Sequence, residues 1–219
     1  VIDKEAEKRA TSVYLVDRTI PMLPEHLCNG ICSLRPDEEK LAYSCIFEMD
    51  DNANIINHRI RKTVIKSDRR FTYEEAQEII ETGKGDYAEE VLTLDRLAKA
   101  LRKRRFEHGS VNFDRFEVRF EIDETGHPIS VYFKVSKDAN KLVEEFMLLA
   151  NKQVATDIGN PGGRKKAKPF VYRIHDNPDP DRMTNFAEIA NRFGYKVRTT
   201  GKRTDINNSL NKMLSSVKG

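Results

Sequence analysis

Two spacings of apolar residues alternate along this chain, one with a period of two and one near 3.6. The period-two runs predict strands over residues 41–48 and 55–65, joined by the turn-forming string Asp50-Asp51-Asn52-Ala53-Asn54. In the second run Ile56, His58, Ile60, Lys62 and Val64 share one face, while Arg59 and Arg61 make the other face basic. The clearest hairpin lies over 116–135. Phe116, Val118, Phe120 and Ile122 alternate, Asp123-Glu124-Thr125-Gly126 turns, and Ile129, Val131, Phe133 and Val135 alternate back. Helical spacing takes over elsewhere. Thr72-Tyr73-Glu74-Glu75 reads as a capping box that opens a helix closed by Gly83. A second helix is predicted over 87–106, with Val91, Leu94, Leu97, Ala98 and Leu101 on one face. Its end, Arg102-Lys103-Arg104-Arg105, sets cations at the negative pole of the helix dipole. A third helix spans 138–155, with Ala139, Leu142, Val143, Phe146, Leu149, Ala150 and Val154 facing the core.

The remaining segments are less regular. Residues 18–36 form a stiff connection in which Pro21, Pro24 and Pro36 forbid long helix. Met22, Leu23, Leu27, Ile31 and Leu34 oblige that connection to pack against something. A Gly/Pro/Lys stretch over 159–169 predicts an exposed basic loop, and 170–174 a short buried strand. Asp179-Pro180-Asp181 starts a further helix that ends near Gly194, after which 195–197 reads as a strand. Residues 205–217 look helical but show no partner face. With no internal repeat and no linker that divides domains, the pattern predicts one α+β unit in which antiparallel strands pack with several helices.

Composition narrows the class. The 219 residues carry 38 Lys and Arg against 35 Asp and Glu, a net charge of +3 that is too small to argue nucleic-acid binding alone. The longest uncharged apolar run, residues 146–150, falls far short of the roughly 20 residues of a spanning helix, so no membrane is expected. The first residues show no signal-peptide core and no initiator Met, which predicts a piece of a longer protein. Three cysteines, Cys28, Cys32 and Cys45, are an odd number without zinc spacing, and point to structural thiols in a reducing, cytoplasmic setting.

Generic enzyme signatures are absent: there is no phosphate loop, no Gly-x-Gly-x-x-Gly for a dinucleotide cofactor, no Gly-x-Ser-x-Gly and no His-Glu-x-x-His. Asp50-Asp51 and Asp123-Glu124 sit at hairpin turns, where carboxylates hold backbone amides. The string from His175 to Asp181 is either a cation ligand set or a rigid loop with a helix cap. Glu144 is more informative. Asn140, Glu144, Met147 and Asn151 fall on one side of their helix, and amides around one carboxylate suit a polar ligand such as a sugar. The alternative is a surface helix with a Glu144–Lys141 pair. Tyr14 and Phe113 are lone aromatics that either stack on bases, at about 1–3 kcal/mol each, or pack into the core.

Longer strings carry a resemblance. Ala10-Thr11-Ser12-Val13-Tyr14-Leu15, Ile20-Pro21-Met22-Leu23-Pro24-Glu25 and Leu27-Cys28-Asn29-Gly30-Ile31-Cys32-Ser33-Leu34-Arg35-Pro36 resemble the ribonuclease II / ribonuclease R family. Downstream, Phe71-Thr72-Tyr73, Arg105-Phe106-Glu107-His108-Gly109-Ser110-Val111-Asn112-Phe113, Leu142-Val143-Glu144-Glu145-Phe146-Met147-Leu148-Leu149-Ala150-Asn151 and Tyr172-Arg173-Ile174-His175-Asp176 follow in family order. The bacterial ribonuclease R branch is the most similar. The resemblance implies an RNB-type catalytic domain and a processive, magnesium-dependent exoribonuclease. Such an enzyme degrades single-stranded RNA from its 3′ end to 5′-mononucleotides. It further implies that Tyr14 stacks near the 3′-terminal nucleotide, that Phe113 clamps the final bases, and that Tyr73 and Glu144 recognise the ribose 2′-hydroxyl.

Departures from the family pattern matter as much. The family's catalytic aspartate cluster falls before Val1, and neither its downstream arginine-bearing segment nor its flanking OB-type RNA-binding domains occur here. Residues 1–219 are therefore expected to be the central part of the catalytic domain, with no catalytic residue and no metal ligand of their own. Alone, this piece is expected to be inactive. The alternative is a catalytically silent RNA-binding or scaffold protein that keeps the exoribonuclease core.

Overall fold

A computed structural model describes residues 1–111, 117–162, 166–174, 176 and 178–217. The elements run α1 (Ile2–Arg9), β1 (Val13–Tyr14), β2 (Thr19–Ile20), β3 (Glu39–Met49), β4 (Ile55–Lys66), α2 (Tyr73–Thr82), α3 (Ala88–Glu107), β5 (Glu117–Ile122), β6 (Pro128–Lys134), α4 (Asp138–Val154), α5 (Pro180–Arg192) and α6 (Arg203–Val217). Short π-helical turns lie at His26–Ile31 and Ala155–Gly159. The result is α+β, as the spacing predicts.

The centre is a trio of helices, α2, α3 and α4, each packed on the other two. Thr72 and Glu75 make the expected capping box: the Thr72 hydroxyl accepts the Glu75 amide at 3.1 Å, and the Glu75 carboxylate accepts the Thr72 amide at 2.7 Å. Gly83 ends α2 at φ 68°, a conformation glycine reaches without steric cost. Ile79, Val91, Ala98 and Ala139 bury the shared faces. Polar groups also enter this interior. Gln77 donates to Glu81 at 2.9 Å and accepts the first-turn amide of Ala139 at 3.0 Å, tying α2 to the start of α4. Asp95, on α3, is buried against Lys99 at 2.6 Å, and Lys99 reaches on to Asp138 of α4 at 3.3 Å.

Three antiparallel ribbons surround the trio: β1 with β2, β3 with β4, and β5 with β6. The β3–β4 ribbon is anchored at two points. At its tip Asp50 accepts the amides of Asn52 and Asn54 at 2.9 and 2.7 Å, the turn role expected of it. Arg96 and Arg104 of α3 then grip that tip, Arg96 at Asp51 (2.9 Å) and Arg104 at Asn54 Oδ1 (3.0 Å) and the Asn52 carbonyl (2.7 Å). Along its side, His58 meets Asp157 at 2.6 Å and Gln153 at 3.0 Å. In β5–β6, Asp123 holds its turn through the amides of Thr125 (2.8 Å) and His127 (2.9 Å).

Five expectations need correction. Residues 170–174 are extended chain without a strand partner among the described residues, and Val171 and Ile174 lie exposed: apolar alternation makes a strand only where a neighbour completes the ladder. Residues 195–197 form no strand for the same reason. The 18–36 connection packs down only in part, since Met22, Leu23 and Leu27 are half-buried whereas Ile31 and Leu34 are exposed. Conversely, α6 does have a partner: Asn207 and Asn211 donate to the carbonyls of Gly109 and Ser110 at 2.7 and 2.8 Å. The cysteines are free thiols, but Cys32 is exposed rather than half-buried. Cys45 is half-buried, and burial, followed by the charge of Asp157, raises its pKa.

Candidate nucleic-acid interface

Tyr73 is the first residue of α2, so the Thr72 capping box fixes where its ring starts. Lys134 of β6 lies over that ring, 5.5 Å from its centroid. The phenol borders a cleft of about 570 Å³ that Arg69, Phe71 and Tyr87 share on one side and Leu142 and Val143 close on the other. Within it Phe71 meets Tyr87 edge-on at 6.5 Å, and the Arg69 guanidinium sits 4.9 Å over Phe71. Arg69 is in turn fixed by Glu75 at 2.9 Å and Asp86 at 3.4 Å. Aromatic rings, one cation and apolar side chains line the cleft together with Asp68 and Glu90, and the rings offer faces on which a planar base can stack.

Glu144 follows in sequence on Leu142 and Val143, which with Ala139 are the α4 residues lining this cleft, but does not itself line it. Its neighbour Glu145 is 3% exposed, whereas the Glu144 side chain is 48% exposed. Adjacent glutamates thus have opposite fates, because α4 turns one toward α3 and leaves the other at the surface. Arg105 Nε donates to both Glu145 oxygens at 3.1 and 3.2 Å, its Nη2 donates to Glu145 as well, and Arg102 adds a contact at 3.4 Å. The same Arg105 Nη2 reaches Glu144 Oε1 at 2.9 Å. Burial works against the Arg105 charge, but Glu145 and then Glu144 outweigh it and raise the guanidinium pKa.

The surroundings of Glu144 therefore differ from those the sequence suggests. Its partner is Arg105 rather than Lys141, which approaches Asp138 at 3.9 Å. Asn140 is not a free amide either: its Oδ1 accepts the Lys137 amide at 3.0 Å and caps the helix. Met147 and Asn151 do stand exposed on that side, as expected. Tyr14 lies on the β1–β2 hairpin, is 81% exposed, and does not line the Tyr73 cleft. Phe113 lies outside the described residues, as do His175 and Asn177 of the 175–181 string. The rest of that string supplies a helix cap, Asp179 accepting the amides of Asp181 and Arg182 at 2.9 and 3.0 Å.

Sequence reasoning missed Arg105 and Glu145. The cationic run 102–105 carries a signal, but its pairing with Glu145 spans 40 residues, which no local spacing reveals. Among the described residues no three His, Cys, Asp or Glu side chains gather closely enough to hold a metal ion. No described helix is long and apolar enough to cross a membrane.

Known proteins agree with this architecture. The RNB domain family matches residues 1–219. Ribonuclease R 1 of Lactococcus lactis is 37% identical over 227 aligned residues, covering all of this chain but 27% of that protein. Mycoplasma genitalium RNase R, solved in complex with double-stranded RNA, superposes with a TM-score of 0.85 at 24% identity, covering 99% of this chain and 39% of that one. Yeast Ssd1, described as a pseudonuclease, superposes at 0.71 with 18% identity over 96% of this chain and 25% of its own. The chain thus spans about a quarter to two fifths of these proteins' lengths. Over its whole length, this chain belongs to the RNB domain family.

Proposed function

We propose that this chain is the RNA-reading part of a hydrolytic 3′→5′ exoribonuclease, acting in the cytoplasm on single-stranded RNA and releasing 5′-mononucleotides processively. The observation that carries the proposal is the pair Glu144 and Glu145: one carboxylate is spent inside the protein while the other stays exposed on α4, the helix that also lends Leu142 and Val143 to the Tyr73 cleft. An ionised carboxylate only accepts hydrogen bonds, so Glu144 can select a sugar hydroxyl that donates, the group that separates RNA from DNA. Tyr73 presents a phenol and a ring in its cleft, and the family resemblance assigns stacking on the RNA to Tyr14 and Phe113. The RNA bound by Mycoplasma genitalium RNase R in its solved complexes supports this choice of ligand.

Magnesium belongs to the proposal for the whole protein only. The described acidic residues of this chain do not form a site for it, and Asp50, Asp123 and Asp179 are occupied with backbone amides. On this proposal the chain binds and orients RNA, and cleavage draws on residues elsewhere in the full-length protein.

A 5′-labelled single-stranded RNA with magnesium tests this reading. The full-length protein is expected to shorten the RNA from its 3′ end, while residues 1–219 alone leave it intact. The fold likeness to a pseudonuclease gives a second reading, RNA binding without cleavage. Binding without shortening by the full-length protein would select that reading and reject ours.

A further inference from the structure

We infer that Arg105 is a positioning residue for sugar selection, fixing the Glu144 carboxylate while Glu145 serves as its buried counter-anchor. The inference rests on the proposed role of Glu144 and adds the device that aims it. A glutamate on an exposed helix face samples several rotamers, and ordering such a side chain on binding costs affinity. Here that ordering is already done. Arg105 extends from α3 with its Nε on both Glu145 oxygens (3.1 and 3.2 Å) and its Nη2 shared between Glu145 and Glu144 Oε1 (2.9 Å). The fork is planar, so Nε and one Nη2 hydrogen locked on Glu145 dictate where the second Nη2 hydrogen points.

Exposure falls off across the three residues in the order the device needs. Glu145 is buried at 3%, the Arg105 side chain keeps 27%, and Glu144 keeps 48%. Only Oε1 of Glu144 is occupied by Arg105, while Arg102 stands 3.8 Å from Oε2. Oε2 is left with room to accept one more donor. A ribose 2′-hydroxyl supplies that donor and a deoxyribose does not. The cation–π contacts of Arg102 and Arg105 with Phe106, at 4.8 and 5.1 Å, hold the two guanidiniums against the same ring. Lysine at position 105 would keep the charge but lose the fork, since one ammonium cannot hold both carboxylates in fixed directions.

The test measures dissociation constants of a single-stranded RNA and the 2′-deoxy oligomer of the same sequence. It uses the full-length protein with EDTA present so that nothing is cleaved. Glu144→Gln, Arg105→Lys, Arg105→Gln and the Arg105→Gln/Glu144→Gln double variant are compared with the parent, each checked for native circular dichroism. Loss of one charge-assisted hydrogen bond corresponds to a change of at least about tenfold. Glu144→Gln is expected to lower the RNA-over-DNA preference by that factor, and Arg105→Gln to lower it equally. The double variant is expected to fall no further, because both single changes disable one device. Arg105→Lys is expected to lose most of the preference despite its retained charge.

A merely structural role for Arg105 would weaken RNA and DNA binding alike and leave their ratio intact. That result in either Arg105 variant, with Glu144→Gln still lowering the ratio, overturns the positioning role and spares the reading of Glu144. An unchanged ratio in Glu144→Gln overturns both. Lysine is the milder change should glutamine destabilise the buried cluster.

Discussion

The helix trio and the β5–β6 hairpin obey the same rules of patterning and end in different states. In the trio, apolar faces meet one another and the polar groups that enter the interior are paired: Gln77 with Ala139, Asp95 with Lys99, Glu145 with Arg105. In the hairpin, Val118, Phe120, Val131 and Phe133 fall on one face by their register, and each is at least 40% exposed. The β3–β4 ribbon lies between these extremes, gripped at its tip and flank but with Leu41, Tyr43 and Val64 bare. The chain as a whole exposes 17,482 Å², against roughly 10,000 Å² for a compact monomer of this mass. The trio thus holds most of the buried side chains among the described residues, while the ribbons carry exposed apolar surface.

Substitutions can break or sharpen that contrast. The largest effect is expected at Glu145→Ala, which leaves two arginines partly buried without their carboxylate and should cost about 3–5 kcal/mol in chemical denaturation. A cost under 1 kcal/mol would mean the cluster is ornamental and the trio is held by apolar contact alone. Gln77→Ala follows: the Ala139 amide loses its acceptor in a buried place, at about 1–3 kcal/mol by the same measurement.

A smaller effect concerns the α2 cap and pH. Glu75 has its pKa lowered from 4.5, first by the Thr72 backbone amide and then by Arg69. A lowered folded value means that its contribution is present above pH 4.5 and is lost as pH falls through that lowered value. Glu75→Gln keeps the cap geometry but does not titrate, so its stability should fall less steeply with acid than that of the parent. Equal slopes below pH 4.5 in the two proteins would contradict the cap's electrostatic share. The smallest effect is expected in the hairpin. Val131→Thr should change the stability of this chain by no more than about 0.5 kcal/mol, because the side chain is already 59% exposed. A loss above 1 kcal/mol would show that the hairpin face is buried in solution.

What the sequence discloses follows from how local each cause is. The capping box at Thr72 and Glu75, the turn at Asp50 and the cap at Asp179 act over two to four residues, and the string displays them directly. The supposed strand over 170–174 fails because a strand needs a partner, which alternation cannot supply. In the candidate site, Tyr73 and Glu144 are visible as residues, but their settings are not. The Arg105 fork joins positions 40 residues apart, and Lys134 reaches Tyr73 of α2 from the β5–β6 hairpin. Glu144 and Glu145 are indistinguishable as letters, and only the packing of α4 on α3 tells them apart.

The most direct test of the central claim, that this chain reads the sugar of the RNA, follows a 5′-labelled RNA carrying one internal 2′-deoxynucleotide through degradation by the full-length protein. The account predicts a pause as the deoxynucleotide approaches the 3′ end, and its weakening in Glu144→Gln, which already lacks that contact. Uniform shortening by the parent, or an undiminished pause in the variant, would contradict it.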